Sequence, residues 1–401
     1  MLTVDLSNIW GRVALPELLA LEPELAAAHP RLLGLEEGLE PPPWKNAPLT
    51  QGENLSAILT AAEAIRNQSE LCLVLAPRGL GLGARGVIHA LGLEASSPNL
   101  LFAGDSFSTR AQSDLLARLE GKDFSLILLS PQGLEPEFAA ALRAFRWMLE
   151  RKHGTREAAR RIYAVTEPDS GLDQTAREQG WHRFPLPEGP FACEGAGWLL
   201  PMAVAGVDIS AFLAGAARVR EENLLASFEN PLWLHAGVRT LMGRRGLGRE
   251  LLAIQEPGLW DFGQWWQSLF PENSGTLLLP RDSLPQPGSF VTALRPETPE
   301  RPLFLDADWK NRDGLGHLEG KPLDTLEDAL WQAAFEQADR GSPVLTVDCG
   351  PPDGETLGEL ASFFSLSRGL CRQLQPEGED HPLGHGLARL LDQKLPDKNE
   401  L

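Results

Sequence analysis

Short apolar runs alternate with amphipathic segments along residues 55–165, and this alternation restricts the fold more than any other feature. Strands are predicted from unbroken apolar runs at 71–75, 100–102, 125–129 and 161–165. Helices are predicted in the gaps, at 84–91, 112–119 and 138–151. A helix between two successive strands favours parallel pairing through a right-handed crossover. The pattern therefore predicts an α/β domain with a doubly wound parallel sheet flanked by helices.

The second half of the chain repeats this organisation with fewer strand signals. A helical stretch over 199–225 leads to strands predicted at 275–279, 303–305 and 344–347, with helices at 323–340 and 355–372. The first fifty residues are predicted to form helices joined by proline-rich connectors, one of them stopped by Pro30. The predicted divisions are an N-terminal helical segment (1–50), a first α/β domain (51–225), a second α/β domain (226–385) and a C-terminal helix with a tail (386–401).

Charge and cysteine usage exclude several classes of protein. The chain has 36 Lys and Arg against 55 Asp and Glu, a formal net charge of −19, which disfavours nucleic acid and anionic membranes as partners. The four cysteines lie far apart without a C-x-x-C pair or a nearby His, so neither a metal nor a cofactor is predicted. The chain has no secretory signal pattern and no apolar run near the roughly 20 residues that a span needs, so a cytoplasmic protein is expected.

A glycine-rich turn at 78–86 follows the first predicted strand and opens a helix. Such a turn lets backbone N–H groups approach an anion at a helix N-terminus. Gly81, Gly83 and Gly86 also satisfy the G-x-G-x-x-G dinucleotide pattern, with Asp105 about 20 residues further on. Three interpretations stay open for this turn: a plain strand-to-helix connection, a sugar-phosphate site and a dinucleotide site.

A second turn, at 130–133, follows the strand predicted at 125–129. Two such turns at the carboxyl ends of neighbouring parallel strands form the crevice where open α/β sheets bind ligands. The Ser130 hydroxyl and the Gln132 amide are candidate ligands for a phosphate oxygen. Pro131 argues against binding because it removes one backbone donor, so an ordinary turn is the alternative.

Three blocks of sequence resemble the phosphoglucose isomerase family. Residues 102–125 are similar to the family run D-L-L-x-x-L-x-x-K-D-F-S that leads into its phosphate loop. Residues 199–216 resemble the family segment G-L-L-P-I-A-V-A-G with its following helix, and 265–270 resemble W-W-x-x-L-F. The resemblance implies two flavodoxin-like sugar-isomerase (SIS) domains and a homodimer with active sites near the interface. It implies interconversion of glucose 6-phosphate and fructose 6-phosphate, a reaction of glycolysis and gluconeogenesis.

The resemblance also implies site residues. Glu272 matches the glutamate that acts as the family's base, in a motif G-E-S-x-G, and Trp265 and Trp266 could desolvate it. Glu137 matches the glutamate that follows the phosphate loop, although a helix N-terminal charge is the alternative. The residues that match the family's substrate-binding loops are Arg78, Gly79, Ser130, Gln132 and Gly133.

Other positions depart from the family pattern. The phosphate loop S-K-S-G-T-T is here S-P-Q-G-L-E, so Pro131 replaces the lysine and Glu135 adds a negative charge. The replacements at the remaining matched positions are Leu80 for the substrate serine, Pro190 for the enediolate arginine, Pro285 for the ring-opening histidine and Ala388 for the C-terminal lysine. His381 and His385 are candidate replacement acid–base groups, with exposed loop histidines as the alternative. The departures leave two functional hypotheses: a weak isomerase that uses Glu272, and a catalytically silent sugar-phosphate-binding or regulatory protein.

Overall fold

The structure is a computed structural model, and it describes most of the chain. The described residues are 2–9, 13–33, 51–77, 79–95, 97–133, 135–186, 192–270, 275–280, 283, 285, 287–297, 301–338 and 342–374. No helix within these ranges is both long and apolar enough to cross a membrane.

The strands are short and the helices longer, as the alternating pattern predicts. The strands are β1 (Thr3–Asp5), β2 (Leu71–Leu75), β3 (Asn99–Ala103), β4 (Phe124–Leu129), β5 (Ile162–Thr166), β6 (His182–Pro185), β7 (Arg249–Ile254), β8 (Leu277–Leu278), β9 (Ser289–Pro296) and β10 (Val344–Cys349). The helices are α1 (Leu15–Leu19), α2 (Glu22–Leu33), α3 (Gln51–Gln68), α4 (Leu82–Ala90), α5 (Thr109–Leu119), α6 (Pro136–His153), α7 (Thr155–Ala159), α8 (Gly171–Gln179), α9 (Ala196–Ala205), α10 (Ile209–Glu222), α11 (Pro231–Arg244), α12 (Trp260–Leu269), α13 (Leu323–Ala338) and α14 (Gly354–Leu374).

One compact unit contains the described residues between 37 and 213. Its sheet has the order β3-β2-β4-β5-β6, and every neighbouring pair is parallel. Successive side chains of β2 and β4 point to opposite faces, and Leu73, Leu75, Leu126 and Leu128 pack into one core cluster with helices α6 and α8. Helices α3 and α9 contact the same sheet at β4 and β3. This arrangement confirms the predicted parallel α/β fold.

The other unit contains the described residues before 36 and between 214 and 375. Its sheet has the order β1-β10-β9-β7-β8, with β7, β8, β9 and β10 parallel. The first strand β1 adds antiparallel to the edge at β10. The parallel strands of both sheets thus share the flavodoxin-like order, in which the first parallel strand along the chain lies between the second and the third.

Several predicted elements of the second half and of the N-terminus were wrong or incomplete. Residues 303–305 form no strand: Phe304 makes an isolated bridge to Pro322, and its side chain is 55% exposed. The strands β7 and β9 were not predicted, since charged residues such as Glu250 interrupt their apolar runs. Pro30 does not stop its helix, because α2 continues to Leu33. A proline inside a helix loses the hydrogen bond of its missing N–H and crowds the carbonyl four residues earlier, but here the helix continues for three residues beyond it.

The N-terminal segment also contains the strand β1, which the sequence did not reveal because three residues are too few for a period to be recognised. The predicted domain limits at residues 50, 225 and 385 stay predictions, since compact units and homologous domains need not share their limits.

Candidate functional site

The crevice of the unit between residues 37 and 213 lies where strand order reverses, between β2 and β4. The chain leaves β2 towards β3 on one side, whereas β5 lies on the other side of β4. Since β2 and β4 are parallel neighbours, with Leu75 opposite Leu128, the loops that follow them start at the same edge of the sheet. Ligands of open α/β sheets bind at such a switch point. The loops at 76–81 and 130–135 are the two sequence-predicted turns.

The loop after β4 satisfies its own polar groups. The fully buried Ser130 hydroxyl donates to Glu135 Oε2 at 2.6 Å, and the backbone N–H of Gly133 donates to Ser130 Oγ at 2.7 Å. Gly133 adopts φ 75°, a left-handed conformation that glycine tolerates best. A carboxylate therefore accepts a hydrogen bond from the buried hydroxyl in this loop. It is the loop whose sequence resembles the family's phosphate loop.

The remaining polar groups of this loop are directed towards the turn after β5. The Gln132 side-chain amide donates to the Glu167 carboxylate. The Thr166 hydroxyl donates to the Pro131 carbonyl at 2.8 Å, and the Glu167 N–H donates to the same carbonyl at 3.2 Å. The loop therefore brings two carboxylates, Glu135 and Glu167, to the edge of the sheet.

The loop after β2 is shaped by close packing of glycines. A Cβ at Gly83 would overlap the indole ring of Trp198 on α9, and a Cβ at Gly104 would lie 3.0 Å from the Ala76 backbone nitrogen. Gly79 has φ 81° with open space where a Cβ would be. The packing of Gly83 against Trp198 and the start of α4 at Leu82 explain the glycine pattern of this turn without a bound dinucleotide.

Glu137 lies in the first turn of α6, where it is half-buried. A carboxylate in the first turn is stabilised by the helix dipole. The structure therefore places Glu137 next to the loop of Ser130, Gln132 and Gly133 along the chain, and Gly79 on the loop of the neighbouring strand. Arg78, Glu272, His381 and His385 lie outside the described residues, so their predicted roles stay predictions.

The segments on either side of Glu272 belong to the core of the other unit. Trp266 is buried and stacks on Phe364 of α14, with ring centroids 3.7 Å apart. The guanidinium of Arg239 lies over the Phe270 ring, 3.8 Å from its centroid. Pro285, near which the sequence resemblance places the family's ring-opening histidine, is half-buried and has no group that can transfer a proton.

A buried charge pair that sequence reasoning missed adjoins the same segments. Arg239, 8% exposed, pairs with Glu250, which is fully buried. Glu250 also accepts from the hydroxyls of Thr292 at 2.6 Å and Thr276 at 3.1 Å. These hydroxyls and the guanidinium offset the cost of burying the carboxylate. The sequence signal that could have indicated this pair is a charged residue inside an otherwise apolar stretch, Arg239 in α11 and Glu250 in β7.

Metal and thiol chemistry finds no support in the described part of the chain. No group of three or more metal-ligating side chains occurs there. Cys72 and Cys349 are buried thiols, and burial raises the pKa of Cys349 to about 12 and that of Cys72 further. Thiols with such raised pKa values are poor nucleophiles at neutral pH.

Comparison with known proteins gives two kinds of likeness. No family model matches the chain. Solved structures with the same fold include a hypothetical protein from Thermus thermophilus, with TM-score 0.82 and 22% identity over 98% of this chain and 99% of that one. A glucose-6-phosphate isomerase from Chlamydia trachomatis has TM-score 0.76 and 15% identity over 98% and 88% of the two chains.

Sequence relatives are closer. A glucose-6-phosphate isomerase from Streptococcus agalactiae is 33% identical over an alignment that covers 93% of this chain and 91% of the relative. One from Staphylococcus saprophyticus is 32% identical over 352 residues, 81% of this chain and 80% of the relative. With identity at this level across nearly the whole length, and with both sheets arranged as in the family, the chain belongs to the glucose-6-phosphate isomerase family.

Proposed function

We propose that this chain is a divergent glucose-6-phosphate isomerase whose turnover of glucose 6-phosphate and fructose 6-phosphate is residual. The proposal rests mainly on the hydrogen bond from Ser130 Oγ to Glu135 Oε2. A phosphate in this loop would have to displace the carboxylate to reach the hydroxyl, and would then lie beside an uncompensated negative charge. Because like charges repel each other, the Glu135 carboxylate disfavours a phosphate bound in this loop.

The replaced catalytic positions support the same conclusion. The enediolate arginine, the ring-opening histidine and the C-terminal lysine of the family stand here as Pro190, Pro285 and Ala388. Removing one electrostatic donor costs on the order of 10² to 10³ in rate, and acid–base groups contribute roughly 10² to 10⁴ each. Even with strong non-additivity, we expect turnover several orders of magnitude below that of a typical family enzyme.

The residual chemistry is assigned to Glu272, which stands at the family's base position. In this proposal the carboxylate of Glu272 takes the C2 proton. Separately, Glu137 and the loop residues Gly79 and Gly133 are proposed as site residues of their own unit, as the resemblance implies. We further propose a cytoplasmic homodimer whose ligand is a small sugar phosphate. The names of the relatives support this ligand class.

A second candidate, a catalytically silent family member with a regulatory or ligand-binding role, is favoured by the same loop and by Pro285. Proline cannot replace a histidine in proton transfer. The two candidates differ in one measurable quantity, the turnover of fructose 6-phosphate.

A coupled assay that detects glucose 6-phosphate formed from fructose 6-phosphate tests the proposal. We expect wild-type turnover far below the usual range of roughly 1–10³ per second. Glu272→Gln keeps the shape of the side chain but cannot accept a proton, so it should abolish the remaining activity. Turnover within the usual range would overturn the proposal of residual activity.

The matched control is Glu319→Gln, which makes the same chemical change at an exposed position between β9 and α13. It should leave turnover unchanged. Activity that survives Glu272→Gln would place the base elsewhere, with His381 and His385 the next candidates. A complete absence of wild-type turnover would favour the silent alternative.

A further inference from the structure

A second crevice lies in the unit between residues 214 and 375, under helix α13. It contains a cavity of about 310 Å³ between α13 and the sheet. A wider crevice of about 720 Å³ continues from it along the carboxyl ends of β7, β9 and β10, and the two share Gln255, Arg295 and Asp328. The cavity volume lies at the small end of the range for small-molecule sites.

Small side chains on three neighbouring strands explain why this cavity is open. Leu251, Val291 and Val344 stand side by side and pack with Trp331 and Phe335 of α13. Two residues further along each strand, and so on the same face, the row consists of Ala253, Ala293 and Thr346. This row is too short to fill the space beneath the helix, and it forms the floor of the cavity.

Polar groups in fixed positions surround the floor. Gln255 Nε2 donates to Asp328 Oδ1 at 2.8 Å, which orients the carboxylate. Trp331 Nε1 donates to Glu327 Oε1 at 3.1 Å, which orients the indole that forms a wall of the cavity. Amide, hydroxyl and aromatic groups in one small cavity suit a ligand with several hydroxyl groups and an apolar face.

The charge of the crevice restricts the class of ligand further. Six carboxylates line its wider part (Glu256, Glu297, Asp324, Glu327, Asp328 and Asp348), against one guanidinium, that of Arg295. The guanidinium is engaged by Asp348, with bonds of 2.6 and 3.1 Å. An anionic ligand is repelled here, whereas a cation is attracted by the carboxylates, and the adjoining cavity adds the indole of Trp331.

We propose that this crevice binds a protonated amino sugar that carries no phosphate. Its ammonium group lies at Asp328 and the Trp331 face, and its hydroxyl groups bond to Gln255, Gln332 and Thr346. The site uses the described residues of one unit and is independent of the isomerase proposal, because none of those residues belongs to the loops at 76–81 and 130–135.

Titration calorimetry at low ionic strength with glucosamine, glucose and glucosamine 6-phosphate tests the proposal. We expect glucosamine to bind, glucose to bind at least about tenfold more weakly because it lacks the ammonium group, and the phosphorylated sugar to bind more weakly than glucosamine. Added salt should weaken glucosamine binding. Failure of glucosamine to bind, or equal binding of glucose, would overturn the proposal.

Variants locate the binding. Asp328→Asn should weaken glucosamine binding about tenfold, and Ala293→Leu should abolish it by filling the cavity floor. Asp306→Asn removes the same charge at an exposed position and should leave the affinity unchanged. If Ala293→Leu fails to fold, Asp328→Asn still decides the test. Glucosamine binding that is unaffected by both variants would lie elsewhere and would refute the site.

Discussion

Glu135 accepts a hydrogen bond from the buried hydroxyl of Ser130 in its own loop. In phosphate-binding loops a bound anion accepts such hydrogen bonds. The bond between Ser130 and Glu135 is 2.6 Å long, in the range of charge-assisted O–H···O bonds. Glu135 lies five positions after Ser130 in the sequence, so both groups belong to the same loop. One side chain therefore engages the buried hydroxyl of the loop between β4 and α6.

Gly83 gives a prediction at the same scale. It satisfies a dinucleotide pattern in the sequence, but in the structure it lets α4 pack against Trp198. Gly83→Ala should lower the free energy of unfolding by about 1–3 kcal/mol, because overpacking outweighs the better helix propensity of alanine. Urea denaturation measures the difference.

Gly171→Ala is the matched control for this variant. Gly171 also lies in a helix of the same unit, but a Cβ there would meet only the Gln132 carbonyl at 3.7 Å, an ordinary contact. Its free energy of unfolding should stay equal or rise slightly. Equal stability of Gly83→Ala and wild type would show that the helix–helix packing is looser than described.

Among the elements, α2 is held to its unit by a histidine with a fixed tautomer. Trp233 Nε1 on α11 donates to His29 Nδ1 at 2.8 Å, so the ring proton lies on Nε2 and is donated to the Asn223 carbonyl at 2.8 Å. His29 is 1% exposed. The ring therefore joins α2 to Asn223 and Trp233, which lie 194 and 204 positions further along the chain.

His29→Ala should destabilise the protein by about 2–4 kcal/mol, because it leaves the Trp233 N–H and the Asn223 carbonyl without their partner and opens a cavity. The urea midpoint should fall accordingly. His317→Ala, at an exposed position, should leave the midpoint unchanged. A midpoint of His29→Ala within error of wild type would mean that α2 is not docked through this ring.

At the level of elements, the sequence predicted strands well where they are continuous and apolar. Strands β2 and β4 were predicted because each is an apolar run between polar residues. Strands β7 and β9 escaped because their burial includes charges and hydroxyls, such as Glu250 and Thr292, that bond to each other across the sheet. Such pairing depends on tertiary contacts, and no local pattern encodes it.

For the whole molecule, three sequence blocks were enough to identify the family, and the parallel sheets confirmed the fold. The candidate site could be predicted only in part. The turn at Ser130 lies between β4 and α6, as the sequence predicted, whereas the unfavourable effect of Glu135 on a bound phosphate stays a prediction. That Glu135 bonds to Ser130 could not be foreseen, because the bond depends on the loop conformation and on the left-handed backbone of Gly133.

Stability in mild acid is a property of the whole fold, and His235 contributes to it. Burial, and to a smaller extent the positive charge of Arg239, lower the pKa of His235 from 6.5 to about 3. The unfolded chain therefore binds a proton near pH 6.5 that the folded chain does not, so stability is complete above this pH and falls as the pH drops towards 3.

Between pH 7 and pH 5 we expect this histidine to cost about 2 kcal/mol of stability. Urea unfolding at the two pH values, with His235→Gln beside wild type, checks the value. The variant should be less stable at pH 7 because Ser367 loses its partner at 2.7 Å, but its loss between the two pH values should be smaller by about 2 kcal/mol. An identical loss in both proteins would contradict the assignment.

Calorimetric titration of fructose 6-phosphate into wild type and Glu135→Thr tests whether a carboxylate of the chain itself keeps a phosphate out of the loop after β4. The variant introduces the residue type of the resembling family loop and frees the Ser130 hydroxyl. We predict millimolar or weaker binding to wild type and binding at least about tenfold tighter to the variant. Glu178→Thr, which removes an exposed carboxylate of the same unit, should bind as wild type does. Micromolar binding to wild type, or no tightening in Glu135→Thr, would show that Glu135 does not exclude the phosphate.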